Sequence, residues 1–397
     1  MKEKIVFIVA LIVSIVYIFI GNRIAMKNNR FFEDITKSNY PRAEITRILE
    51  RKETPLEIDG LENQYNTDIT FEAQVTSGEH KDELVIAIQN ISTYITGTVK
   101  EVEAGDKILL CNEISYEGQS KWYFVEYSRI SALIVLTIVF LGLIVLFGKQ
   151  KGVKTLISLI FTVLSIFIVY IPAILGGHNI YLWTIITCVF ITLSTVMIVY
   201  GYSKKTITTA LGCIGGVLVA GLLTLIMNGV LRLTGFTDEN SIYLQQLNSS
   251  IDLKAIIFGG ILIGAVGAIM DVSIDIASSL YELASKLEKP NFKTIIKSGF
   301  NIGKDIMGTM TNTLILAYIG SSLSTVLLLT ASNHSLVYLL NLEMITVEIL
   351  QALAGSIGIL TAIPLTSFVA ANLYKHVDDK KYVYEYKGKN SNKISKQ

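Results

Sequence analysis

Two aspartates one helical turn apart, Asp271 and Asp275, close an apolar run that begins at Ala255. At about 100° per residue, Gly260, Gly264, Gly267, Asp271, Asp275, Ser278 and Glu282 fall along one line of a helix. Carboxylates are costly inside a membrane, and those facing a cavity mark ion or proton routes. Glycines on the same line would let a neighbouring helix approach closely, so the acids would look into a bundle and not at lipid. A second set, Asp305, Gly308, Thr309 and Asn312, shares one face by i, i+3, i+4 spacing. Together the two helices would offer carboxylates, a hydroxyl and an amide, an oxygen-rich site for a small cation or a proton. Plainer readings stand beside this one. Thr309 and Asn312 suit ordinary interhelical hydrogen bonding, and Asp275 suits a helix end emerging into water. Depth separates the two aspartates: counted from Lys254, Asp271 lies about 25 Å inward and Asp275 about 31 Å. A hydrocarbon core is about 30 Å thick, so Asp271 is the one that needs a special environment.

Other chemistries find little support. No HExxH, Walker loop or GxSxG occurs, and no nucleophile–base set is visible, so an enzyme is not expected. His178 and His334 stand alone, and Cys111, Cys188 and Cys213 are far apart without a CxxC. Neither a metal centre nor a disulfide framework can be read from them, and no cofactor is implied. The 34 Lys and Arg against 33 Asp and Glu give a net charge of +1, which excludes a generally basic nucleic-acid binder.

The elements that must hold these residues are membrane helices. Of 397 residues, 51% are hydrophobic and 17% charged, where soluble chains average about 25% charged. Eight segments are long and apolar enough, or nearly so, to span a bilayer: residues 5–21, 130–147, 156–175, 180–200, 207–231, 255–277, 306–331 and 347–374. The first reads as an uncleaved anchor, since Arg23, Ile24 and Ala25 supply no signal-cleavage site. Loop charges set the direction. Lys149, Lys151, Lys154, Lys204 and Lys205, the lysines at 286–304 and the basic tail at 376–397 all fall on one side if both termini are cytoplasmic. Gly355 and Gly358 are close-packing points in the last span, as Gly212, Gly216 and Gly221 are in the fifth, and Pro364 predicts a kink.

Residues 22–129 then lie outside the plasma membrane, between an anchor at 1–21 and a seven-helix region at 130–375. They carry 13 Lys and Arg against 19 Asp and Glu, a net of −6. Ile69, Phe71, Ala73 and Val75 alternate with polar residues, the period of a half-buried strand. Further strands are expected at 43–50, 84–88, 107–110 and 121–127, which suggests a small barrel of the OB or SH3 type. Its negative charge argues against nucleic acid. Trp122, Tyr123, Phe124 and Tyr127 suit sheet packing better than base stacking.

Three stretches carry a resemblance: GAVGAIMDVSIDIASS at residues 264–279, GKDIMGTMTNTL at 303–314, and Gly355-Ser356-Ile357-Gly358 followed by Pro364-Leu365-Thr366. With them the chain resembles the YibE/F-like family of bacterial multi-pass membrane proteins, over nearly its whole length. The resemblance implies relatives and a membrane location, and no particular reaction. The residues themselves favour a secondary transporter or ion-conducting protein. The competing expectation is a membrane scaffold whose outer domain binds an envelope component or a protein partner.

Overall fold

The computed structural model describes residues 2–27, 40–55, 65–92, 100–114, 120–331 and 335–375. The basic tail at 376–397 and His334 lie outside the described residues. The chain divides into two units: residues 1–29 with 144–397, and residues 30–143.

The smaller unit contains a closed five-stranded barrel: β1 (Arg42–Pro55), β2 (Tyr65–Val75), β3 (Leu84–Ser92), β4 (Lys107–Ile114) and β5 (Ser120–Tyr127). The order around the barrel is β1-β2-β3-β5-β4, closed by β1 on β4. Every pairing is antiparallel except β3 with β5, where Ala87 faces Trp122. Irregularities after Ile45 and Ile48 bend β1, and such bends let one strand serve two neighbours. The alternating residues of β2 point inward: Ile69, Phe71, Ala73 and Val75 are buried with Ile45, Ala87, Ile108 and Leu110. Trp122, Phe124 and Tyr127 pack against that core. The buried Gln89 is fully engaged: its Oε1 accepts from Val102 N at 2.9 Å and its Nε2 donates to Lys100 O at 3.1 Å.

The larger unit is helical. Its elements are α1 (Lys2–Ala25), α2 (Ile130–Leu164, entering from the barrel unit), a π-helical turn (Ser165–Tyr170), α3 (Ile171–Leu175), α4 (Ile180–Tyr200), α5 (Lys204–Val230), α6 (Glu239–Leu247), α7 (Leu253–Lys286), α8 (Phe292–Ser321), α9 (Leu323–Ala331), α10 (Leu336–Asn341) and α11 (Glu343–Tyr374). Polar caps mark many of the starts. Asn179, Ser203, Asp238, Asp252 and Asn291 each accept a hydrogen bond from a backbone N–H of the first turn, which supplies donors that a helix start leaves unpaired.

Among the described residues, six helices are long and apolar enough to cross a membrane: Ile5–Ala25, Ile130–Leu175, Ile180–Tyr200, Lys204–Val230, Leu253–Lys286 and Glu343–Tyr374. Two expectations change. The spans at 130–147 and 156–175 form one 46-residue stretch, but Lys149 breaks it with φ 48° and ψ −128°. There the chain turns back so sharply that Gly152 abuts the Ile144 carbonyl, a contact no side chain would permit. The span at 306–331 is also divided. α8 ends at Ser321, Ser322 leaves helical geometry, and α9 follows. α8 is not among the six because Lys304, Asp305, Thr309, Thr311, Asn312 and Thr313 dilute its apolar content.

At the centre of the helical unit, α7 buries Phe258, Ile261, Leu262, Ala265, Ile269, Val272, Ile276 and Leu280. α5 and α11 meet backbone to backbone: a Cβ on Gly216 would lie 2.8 Å from the Gly358 carbonyl oxygen, and one on Gly358 would lie 3.1 Å from Ala220 Cβ. Small residues permit this approach. Pro364 sits inside α11 without ending it. α1 belongs to the same packing, with Tyr17 stacked on Phe190 at 3.8 Å and Gly21 against Val169.

Candidate functional site: an open acidic face beside a hydroxyl-lined groove

Large apolar side chains occupy one side of α7, and they decide which side is covered. van der Waals packing drives helix association in lipid, and the bulky residues offer more of it than glycine. The line bearing Gly260, Gly264, Gly267, Asp271, Asp275 and Glu282 is therefore left exposed. This corrects the expected close packing: a Cβ on Gly260 or Gly267 would meet nothing within 4 Å. Asp271 and Asp275 accordingly do not point into the helical core. Gly264 differs, since the Tyr318 hydroxyl lies 2.9 Å from its Cβ position.

The open face borders a groove of about 310 Å³ between α7, α2 and α4. Gly264 and Gly267 line one side of it, while Thr155, Ser158, Thr162 and Thr195 bring hydroxyls to the other. Ser158 Oγ donates to Thr195 Oγ1 at 2.8 Å. The remaining lining is apolar. One turn beyond Gly267 stands Asp271, and one turn further Asp275. Asp271 lies within electrostatic reach of Tyr200 and Cys213, and Asp275 of Tyr200 and Lys205. The Lys205 ammonium sits 4.8 Å from the Tyr200 ring centre. The acidic pair is thus level with the basic turn between α4 and α5. Glu282, further along, pairs with Lys286 at 2.7 Å on the surface and leaves the set.

α8 runs antiparallel beside α7, with Gly299 against Leu280 and Tyr318 against Gly264. That register puts Asp271 level with Thr309, and Asp275 level with Asp305. Level is not contact. Asp305, Gly308, Thr309 and Asn312 are exposed, and the Thr309 hydroxyl donates to its own helix at Ile306 O. Among the described residues no three acidic, histidine or cysteine side chains gather to hold a metal ion, so the three aspartates do not converge. Of the expected packing points on α11, Gly355 lies against Leu314 and Ala265, and Gly358 against Ile269 and Ala220.

The sequence model of one family, described as YibE/F-like protein, matches residues 136–376. The chain belongs to the YibE/F-like family. The match covers the helices from residue 136 onward and every motif that carried the resemblance, while α1 and the barrel lie outside it, a narrower span than expected. No curated protein matches the chain, and no solved structure does. Within the family's region, sequence reasoning passed over the groove's hydroxyl wall. The signal was present, because Thr155, Ser158 and Thr162 recur at i, i+3, i+7 on an otherwise apolar helix. It also passed over Tyr318 and Gln351, single polar residues inside apolar runs.

Proposed function

We propose that this family member is a secondary transporter or ion-conducting protein whose cation route follows the open face of α7. The observation that carries the reading is the continuity of that face: Gly264 and Gly267 beside a hydroxyl-lined groove, then Asp271, then Asp275 level with Lys205. A polar helix face left uncovered in a bilayer must meet water or another protein. A groove that stops at Met270 and at Gly267, one turn short of Asp271, suits a hydrated route that the two carboxylates continue. In this reading Asp271 binds the cation or proton, Asp275 passes it to the cytoplasm, and Asp305, Thr309 and Asn312 line the same level from α8. The chemistry is transfer without bond rearrangement, so no catalytic group and no cofactor is involved.

The accompanying topology has eight crossings, with the stretch at 130–175 counted twice through its break at Lys149 and α8 with α9 as the seventh. Both termini are cytoplasmic, and the barrel is an OB-type domain on the outer side of the plasma membrane. The β1-β2-β3-β5-β4 order and the parallel β3–β5 pair support that type.

Reconstitution tests the reading. Wild-type protein in liposomes should pass at least one of a panel of cations or protons; Asp271→Asn should abolish that flux and Asp275→Asn weaken it. Asp271→Asn should leave folding intact, because a neutral amide is easier to place in a membrane than a carboxylate. A misfolded Asp271→Asn with a silent Asp275→Asn would make Asp271 a structural residue and end this reading. A second reading, a scaffold that docks a partner through the barrel, draws on β3, whose Leu84 and Ile86 are 62% and 60% exposed on its outer face.

A further inference from the structure

Three polar side chains lie in the half of the bundle away from the acidic pair and have no role above: Tyr318 on α8, with Glu348 and Gln351 one turn apart on α11. Gly264 is 11 residues into α7 from Leu253, about 16 Å along the axis, which is near the middle of a core about 30 Å thick. Over that glycine the Tyr318 hydroxyl and the Gln351 Nε2 meet, 2.9 and 3.5 Å from the point where a Cβ would stand. The Tyr318 hydroxyl is buried and has no hydrogen-bond partner of good geometry among the described residues. Glu348 lies within electrostatic reach of it. Tyr318 and Glu348 also border an otherwise apolar pocket of about 260 Å³ beside Ser322. Ser322 is where α8 breaks, its Oγ donating back to Tyr318 O at 2.6 Å.

A buried hydroxyl and a carboxylate in apolar surroundings are expensive to keep without a partner. Donor chemistry narrows what the partner is. One carboxylate supplies a single negative charge and the phenol oxygen is a neutral hard acceptor, while the Gln351 amide, whose Nε2 faces Tyr318, offers its Oε1 to an ion on turning over. The match is one positive charge on a hard ion; a dication would leave an uncompensated charge in the membrane. Geometry also connects this cluster to the aspartates. From Gly264 the exposed face runs through Gly267, whose Cβ position meets nothing within 4 Å, to Asp271.

We propose that Tyr318, Gln351 and Glu348 form a second cation subsite, holding one monovalent ion, a proton or an alkali metal ion, which exchanges with Asp271 along the Gly264–Gly267 face. A Cβ on Gly264 would crowd the Tyr318 hydroxyl at 2.9 Å and take the space beside it that the ion would enter. The exchange step rests on the transport reading. Occupancy of the subsite does not.

Two measurements on the full-length protein keep these apart. The first is labelling of Glu348 by a hydrophobic carbodiimide, read by mass spectrometry in sodium, potassium or choline chloride. The second is flux in proteoliposomes, by radioactive sodium uptake and by an internal pH-sensitive dye. Glu348→Gln should drop flux to background and Tyr318→Phe should reduce it severalfold, with thermal unfolding of both unchanged. Loss of sodium flux would assign the alkali ion, and loss of the dye signal alone the proton. If wild type passes no cation yet sodium or potassium shields Glu348 from the carbodiimide, the transport reading falls and the subsite stands. If wild type carries flux that depends on Asp271 but not on Glu348 or Tyr318, the subsite is overturned and the acidic route stands. Should either variant misfold, labelling of wild type decides: shielding by sodium or potassium assigns the alkali ion, and reactivity that changes with pH but not with salt assigns the proton. Glu348 that is unreactive, or equally reactive in every salt and at every pH, overturns the subsite.

Discussion

Asp271 and Cys111 show how differently position treats two reactive side chains, the first one of a pair with Asp275 and the second alone in its strand. Asp271 stands on an exposed helix face, one turn beyond a hydroxyl-lined groove and within electrostatic reach of Tyr200. Cys111 sits on β4 opposite Tyr123, where burial raises its thiol above the ordinary range and the Glu113 charge raises it further. The thiolate is the nucleophile, so at neutral pH less of Cys111 is reactive than of a free thiol. Alkylation of the native protein by iodoacetamide should therefore be slow and should rise with pH to a midpoint above that of a free cysteine. Glu113→Gln should bring that midpoint down slightly. A rate equal to that of a free thiol at neutral pH would contradict the placement. Such slow labelling makes Cys111 a quiet background for accessibility experiments, and Cys188 and Cys213 are buried in the helical unit.

Helices in this bundle are positioned by where glycine lies relative to bulk, and glycines of the same spacing have opposite fates. Gly212-x-x-x-Gly216 on α5 is pressed against Thr366, Gly358 and Ala362 of α11. Gly260-x-x-x-Gly264-x-x-Gly267 on α7 is mostly bare. The difference comes from the other side of each helix: α7 carries its large residues opposite its glycines and turns them inward. Substitution should expose this contrast. Gly216→Val forces a branched side chain into the Gly358 backbone, and overpacking of this kind costs about 1–3 kcal/mol or more. Gly267→Val enters open space, and no loss from packing is expected. Thermal unfolding in detergent should show a clear drop for the first and almost none for the second. Equal drops would mean that another chain covers the α7 face in the assembled protein. Elsewhere a single acid ties elements together: the Glu343 carboxylate accepts from Thr234 N, Thr234 Oγ1 and Gly235 N at 2.6–2.7 Å, anchoring the loop after α5 to the start of α11.

For the whole molecule the testable quantity is sidedness. Basic residues flank the turns at 149–154, 204–205 and 286–304, and the barrel is net acidic, so the barrel should be outside and those turns inside. A cysteine placed at Glu83 in intact cells should react with an impermeant maleimide, whereas one at Lys289 should react only after permeabilisation; the reverse pattern would invert the topology. Composition and period made much of this molecule legible beforehand. Apolar runs of about 20 residues can satisfy their backbone in lipid only as helices, and the two-residue alternation at 69–75 fits a barrel with one face buried. The family, too, could be recognised from three short motifs. Sequence alone could not say that the chain turns back between Ile144 and Gly152 at Lys149, because that turn depends on one backbone conformation and a glycine meeting a carbonyl eight residues earlier. Nor could it say which side of α7 would be covered. Helical spacing places Gly260, Gly264, Gly267, Asp271 and Asp275 on one line, but whether a line faces neighbours or open space depends on how all the surrounding helices share the available packing. The meeting of Tyr318 and Gln351 over Gly264 was likewise settled only when α8 and α11 closed on α7, since those residues lie 54 and 87 positions from that glycine along the chain.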